Sequence, residues 1–250
     1  WGGLSSHGAI RFSLQGSDLL DGGSGADTMT GGFGNDRYLV DDAADAVVEM
    51  ADAGHDIVRA SVGYVLPDHV EDLELTGAAA IDGTGNALRN TLRGNTAANR
   101  LDGGAGADML VGGAGDDHYV VDDPLDLVYE VAGGGIDTVW SSVGLTLRQE
   151  VENLVLTGDA SINGVGNAHD NQLTGNAGDN TLSGAGGQDQ LQGGSGNDKL
   201  YGGDGADTLF GDAASDTQPS PIRIDALVVV ARGTPCLGAW PIMQVWVGGS

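Results

Sequence analysis

The chain has 250 residues, of which 45 are glycine and only 5% are aromatic, a composition that argues against an ordinary globular core. Ten Lys and Arg residues stand against 36 Asp and Glu residues, so the net charge is −26. This charge excludes nucleic acid and anionic membrane surfaces as primary partners, and it favours multivalent cations.

Cysteine content and hydropathy exclude two further classes. The single cysteine is Cys236, so no disulfide framework can form within the chain. No apolar run approaches the roughly 20 residues that a transmembrane helix needs. The chain begins at Trp1 without a signal-peptide pattern, from which we expect a fragment of a larger protein.

The predicted elements begin with an N-terminal edge at residues 1–12, where Ile10 and Phe12 favour a short strand. A nine-residue repeat follows, and its first block covers residues 13–48. The block contains the units SLQGSDLLD, GGSGADTMT, GGFGNDRYL and VDDAADAVV. The last unit has lost its glycines but keeps its acidic and apolar positions in phase. The nine-residue period therefore continues beyond the glycine motif.

Residues 49–84 lack glycine turns but retain short runs of strand character. The second repeat block, 85–129, holds GNALRNTLR, GNTAANRLD, GGAGADMLV, GGAGDDHYV and VDDPLDLVY, and residues 130–165 are again poor in glycine turns. Gly112 matches Gly31 after a whole number of repeats, since the difference between their numbers is nine times nine. A commensurate spacing predicts that the repeat architecture continues through the glycine-poor coils; a looped-out subdomain is the alternative.

The third block, 166–216, is the most regular. It reads GNAHDNQLT, GNAGDNTLS, GAGGQDQLQ, GGSGNDKLY and GGDGADTLF. Position six is always Asn or Asp, and position eight is always Leu. Residues 217–250 form a non-repetitive apolar tail, for which an export signal, a hydrophobic cap on the last coil and an aberrant reading of the gene all remain open.

Each part of the nonapeptide has a physical role. Glycines allow a tight turn with positive φ, and the turn presents carbonyl oxygens next to the position-six carboxylate. Such hard oxygen ligands suit calcium. The three residues that follow are long enough for a very short strand, whose middle side chain points inward. Two nonapeptides make one coil, so we expect each turn to lie against the turn eighteen residues on.

This pattern, GGxGxDxUx with U a large apolar residue, resembles the RTX (hemolysin-type) calcium-binding repeats of secreted bacterial proteins. The resemblance covers about residues 13–216. It implies an all-β fold, a right-handed parallel β-roll or β-solenoid with several Ca²⁺ ions in the turns. It also implies a secreted, extracellular bacterial protein exported by a type I-like route.

The resemblance further implies that position-six residues eighteen apart share one calcium ion. The Asp–Asp pairs are Asp18/Asp36, Asp27/Asp45, Asp108/Asp126, Asp189/Asp207 and Asp198/Asp216. The implied ligands, through a carboxylate or a turn carbonyl, are Asp18, Gly22, Gly23, Gly25, Asp27, Gly31, Gly32, Gly34, Asp36, Asp45, Gly103, Gly104, Gly106, Asp108, Gly112, Gly113, Gly115, Asp117, Asp126, Asp189, Gly193, Gly194, Gly196, Asp198, Gly202, Gly203, Gly205 and Asp207.

Four further pairs contain one asparagine. They are Asn90/Asp108, Asn99/Asp117, Asn171/Asp189 and Asn180/Asp198. An Asn supplies a neutral carbonyl oxygen and tolerates the left-handed turn. We expect these turns either to bind calcium more weakly or to be dry turns closed by amide hydrogen bonds.

The predicted function is calcium-dependent folding and stabilisation after export, without catalysis by this chain. The sequence contains no HExxH zinc motif and no G-x-S-x-G elbow. An acidic pair at Glu71 and Asp72 becomes Glu152 and Asn153 in the second copy, which favours a solvent-facing strand edge over a glycosidase site. Two alternatives stay open. The chain is the C-terminal part of a secreted protease, lipase, epimerase or hemolysin, or it is an adhesin or surface-layer spacer with a glycan or cell-surface partner.

Overall fold

The computed structural model describes residues 9–11 and 15–211. Phe12, Asp216 and the tail 217–250 lie outside the described residues. Most strands are three or four residues long, because each nonapeptide leaves little extended chain between its turns. The strands are β1 (Ala9–Arg11), β2 (Leu19–Asp21), β3 (Thr28–Thr30), β4 (Arg37–Val40), β5 (Ala46–Val48), β6 (Ile57–Ala60), β7 (Tyr64–Val65), β8 (Asp72–Leu75), β9 (Gly83–Thr84), β10 (Thr91–Arg93), β11 (Arg100–Asp102), β12 (Met109–Val111), β13 (His118–Val121), β14 (Leu127–Tyr129), β15 (Thr138–Ser141), β16 (Leu145–Thr146), β17 (Asn153–Leu156), β18 (Asn163–Val165), β19 (Gln172–Thr174), β20 (Thr181–Gly186), β21 (Gln190–Gln192), β22 (Lys199–Asp204) and β23 (Thr208–Phe210).

The strands stack as a parallel β-solenoid of about 11 coils. Even-numbered strands form one wall, in a sheet that runs from β2 to β14 and a second from β16 to β22. Odd-numbered strands form the other wall, from β1 to β5 and from β7 to β23. The predicted all-β solenoid is confirmed. The described residues contain no helix, and therefore none that is long and apolar enough to cross a membrane.

The core is a ladder of the position-eight side chains from both walls. In the third block, Leu173, Leu182 and Leu191 are completely buried, and the residues on either side of each point outward. Tyr38 and Tyr119 replace Leu in the ladder and are equally buried. Because parallel strands place equivalent residues at the same height, each ladder residue packs between the residues one coil before and one coil after it.

Both glycine-poor segments continue the solenoid. Strand β6 pairs with β4 and β8, and β15 pairs with β13 and β17, all in parallel. The expected spacing of eighteen residues is wrong here, because these turns lack the glycine hexapeptide and differ in length. Tyr38 pairs with Val58 at a spacing of 58 − 38 = 20, and Val58 pairs with Leu73 at 73 − 58 = 15.

Gly31 and Gly112 are equivalent residues in two copies of a longer repeat, which is nine nonapeptides long. The second copy of this long repeat lies on the opposite wall from the first. Tyr38 is in β4, on the even wall, whereas Tyr119 is in β13, on the odd wall. The reason is parity: the two copies are nine nonapeptides apart, and each nonapeptide advances the chain by half a coil. Equivalent residues of the two copies therefore have the same neighbours but occupy opposite sides of the solenoid.

The glycines of a repeat have two roles, and only some of them adopt the positive φ expected of the tight turn. The second and fourth do so, as in Gly113 at 102° and Gly115 at 115°. The first, such as Gly112, does not. A Cβ atom there would overlap the Asp117 carboxylate, so the first glycine leaves room for the position-six side chain.

We expect Leu101→Ala to lower the free energy of unfolding by about 2–5 kcal/mol, because it opens a cavity in a ladder that has no second layer to collapse into it. Leu101 is completely buried. Urea denaturation followed by far-UV circular dichroism measures the change. The matched control is Leu125→Ala, since the Leu125 side chain is 68% exposed. An equal loss in both variants would contradict the ladder as the source of stability.

Candidate metal-binding turns

The predicted Asp–Asp pairs lie in contact wherever both members are described. The backbone N–H of Asp18 donates to Oδ1 of Asp36 at 2.7 Å, and the N–H of Asp27 donates to Oδ1 of Asp45 at 2.9 Å. The equivalent bonds at Asp108/Asp126 and Asp189/Asp207 are both 2.9 Å long. Asp216, the partner of Asp198, lies outside the described residues. One oxygen of each carboxylate thus fixes the spacing between coils.

The second carboxylate oxygen has no protein partner in most of these side chains. Among the pairs, the atom is buried and makes no hydrogen bond within the protein in Asp18, Asp36, Asp108, Asp189 and Asp207. The same holds for Asp117 and for two acidic residues of the glycine-poor coils, Asp56 and Asp137. A buried polar atom without a partner costs about 1–3 kcal/mol, and more when it is charged. A row of such atoms at a regular spacing calls for a cation or a proton at each turn.

Asp45 and Asp126 differ from the other predicted ligands. Their turns have lost the glycines, and the Oδ2 atom of Asp45 accepts the backbone N–H groups of Asp41 and Asp42, both at 3.2 Å. Asp126 accepts the same two bonds from Asp122 and Asp123. Both oxygens of each carboxylate therefore already have donors from the protein.

The asparagine turns are closed by their own amides. Oδ1 of Asn90 accepts the N–H of Asn86 at 2.7 Å, and Nδ2 of Asn90 donates to the carbonyls of Val70 and Glu71 at 3.1 Å. Asn171 repeats this arrangement with Asn167, and Asn99 and Asn180 make similar bonds. Of the two outcomes that the sequence leaves open for these turns, the hydrogen bonding favours the dry one.

Burial raises the pKa of several position-six carboxyls. The pKa of Asp108 and of Asp189 rises to about 6, because burial disfavours the charged form and the carboxylates of Asp126 and Asp207 add repulsion. For Asp117, burial and the neighbouring Asp137 raise the pKa to about 7, although an N–H bond from Asn99 opposes the shift. Near neutral pH these oxygens are therefore poised between holding a proton and holding a metal ion.

The rows of acidic side chains continue into the glycine-poor coils. The expected spacing of eighteen residues does not predict these contacts. The N–H of Asp36 donates to Oδ1 of Asp56 at 2.7 Å, and the N–H of Asp56 donates to Oε2 of Glu71 at 2.8 Å. Asp117, Asp137 and Glu152 form the same sequence of bonds in the second copy. The match of Asp56 with Asp137 in the long repeat is the sequence signal that could have found them.

A family model described as the RTX calcium-binding nonapeptide repeat matches the chain four times, at residues 13–45, 84–119, 165–198 and 184–218. The chain belongs to the RTX calcium-binding repeat family. The matches fall on the three glycine-rich blocks of the RTX chain, which also carry the buried position-six carboxylates.

One curated relative shares part of the RTX chain. Ninety-five residues, 38% of this chain, are 32% identical to an endo-1,3-1,4-beta-glycanase, EglC, of Rhizobium meliloti (strain 1021). The match covers 20% of that enzyme. The RTX chain therefore spans about a fifth of the length of this relative.

We expect Asn90→Asp to destabilise the calcium-free RTX chain by about 1–3 kcal/mol, because it replaces two amide donors with an oxygen that faces the carbonyls of Val70 and Glu71. Calcium should restore part of the loss by bridging the new carboxylate. Thermal unfolding measures the first effect at pH 5 without calcium, where the chain is expected to be folded, and the second effect at pH 7.5 with calcium. Gln188→Glu adds the same charge at an exposed position and serves as the control. Unaltered stability of Asn90→Asp without calcium would contradict the amide-closed turn.

Proposed function

We propose that this chain is a calcium-dependent folding module, whose solenoid folds and is stabilised when extracellular calcium fills the turns after secretion. The observation that carries the proposal is the row of buried Asp carboxylates. Asp36, Asp108, Asp189 and Asp207 each have one oxygen that accepts an N–H from the preceding coil and one that is buried without a protein partner. The ligands proposed are the position-six Asp side chains and the turn carbonyls of the glycine-rich units.

Charge explains why calcium would act as a switch. The chain carries a net charge of −26, and adjacent unneutralised carboxylates repel each other by roughly 1–4 kcal/mol at surface-like dielectric. Extracellular calcium modules bind with Kd values around 10⁻⁴–10⁻³ M, so cytosolic calcium would leave the sites empty. A chain with so much charge and so narrow a core then stays unfolded until it is exported.

Within the third block, calcium should concentrate towards the C-terminal end. The first two turns of the block carry Asn171 and Asn180, whose amides are hydrogen bonded. The later turns carry Asp189 and Asp207, each with an unpartnered buried oxygen. The gradient from Asn to Asp therefore becomes a gradient from metal-free to metal-binding turns.

The test is the dependence of the thermal unfolding midpoint on free calcium. We expect the midpoint to rise continuously between about 0.01 and 10 mM, with each site adding roughly 1–1.5 kcal/mol at about ten times its Kd. Magnesium at the same concentrations is the control, because it demands a rigid octahedron and dehydrates reluctantly. A midpoint that does not respond to calcium would refute the proposal.

A second candidate follows from the similarity to the glycanase. We infer that the module accompanies a glycan-cleaving domain in a longer protein, since the shared 95 residues make up a fifth of the relative. The RTX solenoid itself is a structural fold, so this chain alone should not hydrolyse a mixed-linkage β-1,3-1,4-glucan. Release of reducing sugar by the purified chain would contradict a purely supporting role.

A further inference from the structure

Glu49 stands where a complete repeat has its first glycine, since 31 + 18 = 49. Its side chain is buried, with 8% exposure, and points back into the turn that opens with Gly31. The Tyr38 hydroxyl donates to Oε1 of Glu49 and accepts the N–H of Gly31 at 2.8 Å. A residue outside the glycine-rich repeat thus places a third carboxylate beside Asp36 and Asp56, which are joined by a hydrogen bond.

Three carboxylates converge at this point. One oxygen each from Asp36, Glu49 and Asp56 lies within 4.8 Å of the other two. Asp36 and Asp56 are 1% and 0% exposed, and the Oδ2 atom of each is buried without a protein partner. No Lys, Arg or His of residues 9–11 and 15–211 forms an ion pair with the cluster.

The same arrangement recurs in the second copy of the long repeat, on the opposite edge. Asp117, Glu130 and Asp137 again bring one oxygen each within 4.8 Å of the others, and Tyr119 donates to Oε1 of Glu130. A Cβ atom on Gly112 would overlap the Tyr119 hydroxyl, Oδ2 of Asp117 and Oε1 of Glu130 together. These three oxygens therefore face one shared space, which the missing side chain of Gly112 keeps open.

We propose that each cluster is a calcium site of its own kind, in which a glutamate from a glycine-free coil completes the coordination and the buried tyrosine positions that glutamate. The sites are Asp36–Glu49–Asp56 and Asp117–Glu130–Asp137. The inference rests on the proposed calcium binding and adds two ions to those held by the Asp-only turns. Each site lies where a glycine-rich block meets a glycine-poor segment and closes the row of repeat ions at that boundary.

The geometry and charge of the clusters fit this ion. Oxygens bound to one calcium at about 2.3–2.6 Å lie at most about 5 Å apart, and the observed limit is 4.8 Å. Three buried carboxylates without a counter-ion would repel strongly at low dielectric. Hard oxygen donors without thiolate or imidazole select calcium over zinc or copper. The tyrosine hydroxyl holds the glutamate oxygen in place, as second-shell donors do in other metal sites.

The first experiment counts ions. Calorimetric titration of the full chain with calcium is expected to show two fewer ions in Glu49→Gln/Glu130→Gln, or at least a tenfold weaker affinity for two of them. Gln keeps an oxygen for the tyrosine hydroxyl but cannot accept the backbone N–H bonds, 3.2 Å long, that Oε2 accepts in both glutamates. Far-UV circular dichroism of the calcium-loaded variant therefore checks that it folds as the parent does. Asp68→Asn/Asp159→Asn removes two charges from exposed turns and should bind as the parent does.

The second experiment does not depend on the glutamate variants. Terbium(III), a luminescent substitute for calcium, should show emission sensitised by Tyr38 and Tyr119 in the unmodified chain. Tyr38→Phe/Tyr119→Phe should lose most of that emission and weaken two sites by about 10- to 100-fold. Calcium should displace the terbium.

The outcomes separate this inference from the proposed function. A chain that binds no calcium at all refutes both. Normal calcium binding with unchanged stoichiometry and affinity in Glu49→Gln/Glu130→Gln refutes the cluster sites alone. Terbium emission that is the same in the Phe variant also refutes them.

Discussion

Calcium-free protein is expected to be largely unfolded at pH 7.5 and to regain β structure when the pH is lowered to 5. The reason is that the buried carboxyls have higher pKa values in the folded chain than in the unfolded chain. The pKa is raised to about 7 for Asp117, chiefly by burial, and to about 6 for Asp56, Asp108, Asp137 and Asp189. In the unfolded chain each has an ordinary pKa near 3.9.

The sign of the effect follows from proton linkage. Between about pH 4 and each folded-state pKa, the folded chain holds a proton that the unfolded chain has released, so stability falls as the pH rises. The contribution is fully present below pH 4 and is lost as the pH passes through 6 to 7. Each group changes the free energy of unfolding by on the order of 1 kcal/mol per pH unit within its window, and several groups act together.

Calcium should reverse this dependence. A calcium-bound carboxylate stays ionised in the folded state, so its folded-state pKa falls below the unfolded value and protons compete with the metal. With about 5 mM calcium, well above the Kd of extracellular modules, stability should therefore decrease as the pH is lowered towards 4. Urea denaturation of calcium-stripped and calcium-loaded protein at pH 5, 6 and 7.5 measures both slopes. Slopes of the same sign would show that protons and calcium do not share these carboxylates.

Gly115→Ala is expected to lower the free energy of unfolding of the calcium-loaded chain by more than about 3 kcal/mol. Gly115 has φ +115°, a conformation that side chains rarely adopt. A Cβ atom there would lie 2.5 Å from the carbonyl carbon of Ala97 and 2.6 Å from the N atom of Ala98. Both obstacles are backbone atoms of the preceding coil, so neither can rotate away.

Gly133→Ala separates the cost of backbone strain from the cost of a steric clash with the preceding coil. Gly133 also has positive φ, +71°, but a Cβ atom there meets nothing within 4 Å. Its substitution should cost only the roughly 1–2 kcal/mol of a left-handed residue. Chemical denaturation of the two variants beside the parent measures the difference. Equal losses would mean that the close approach of successive turns contributes nothing to the requirement for glycine.

Much of the fold can be predicted from the sequence because the same unit of turn and strand recurs every nine residues. A glycine turn followed by an inward Leu predicts the ladder, and Leu191 and Leu200 lie in it as expected. The register of the glycine-poor coils was not predictable, because turn lengths there depend on tertiary packing. The deviations cancel: the steps from Tyr38 through Val58 and Leu73 to Leu92 add up to three coils of eighteen, so the frame is recovered where the second block begins.

Some contacts of the candidate sites can likewise be predicted from the sequence, and others cannot. The contacts between Asp108 and Asp126 follow from the period, since residues one coil apart must be neighbours. The reach of Glu49 into the turn of Asp36 does not, because it depends on a side chain folding back beneath a tyrosine hydroxyl. Only the recurrence of Glu49 as Glu130 marks the position in the sequence, and recurrence alone does not say what a residue touches.

The parity of the long repeat has a genetic consequence. Recombination between the two copies would join residue 48 to residue 130 and delete the nine nonapeptides between them. Because the deleted piece is a whole number of nonapeptides with equivalent ends, the shortened gene would still encode an unbroken stack. Everything downstream would change sides, since nine is odd. Loss or gain of two such units would preserve the nine-residue period and would keep every downstream strand on its original wall. Proteins built this way can therefore vary in length without a change of sequence where the coils meet.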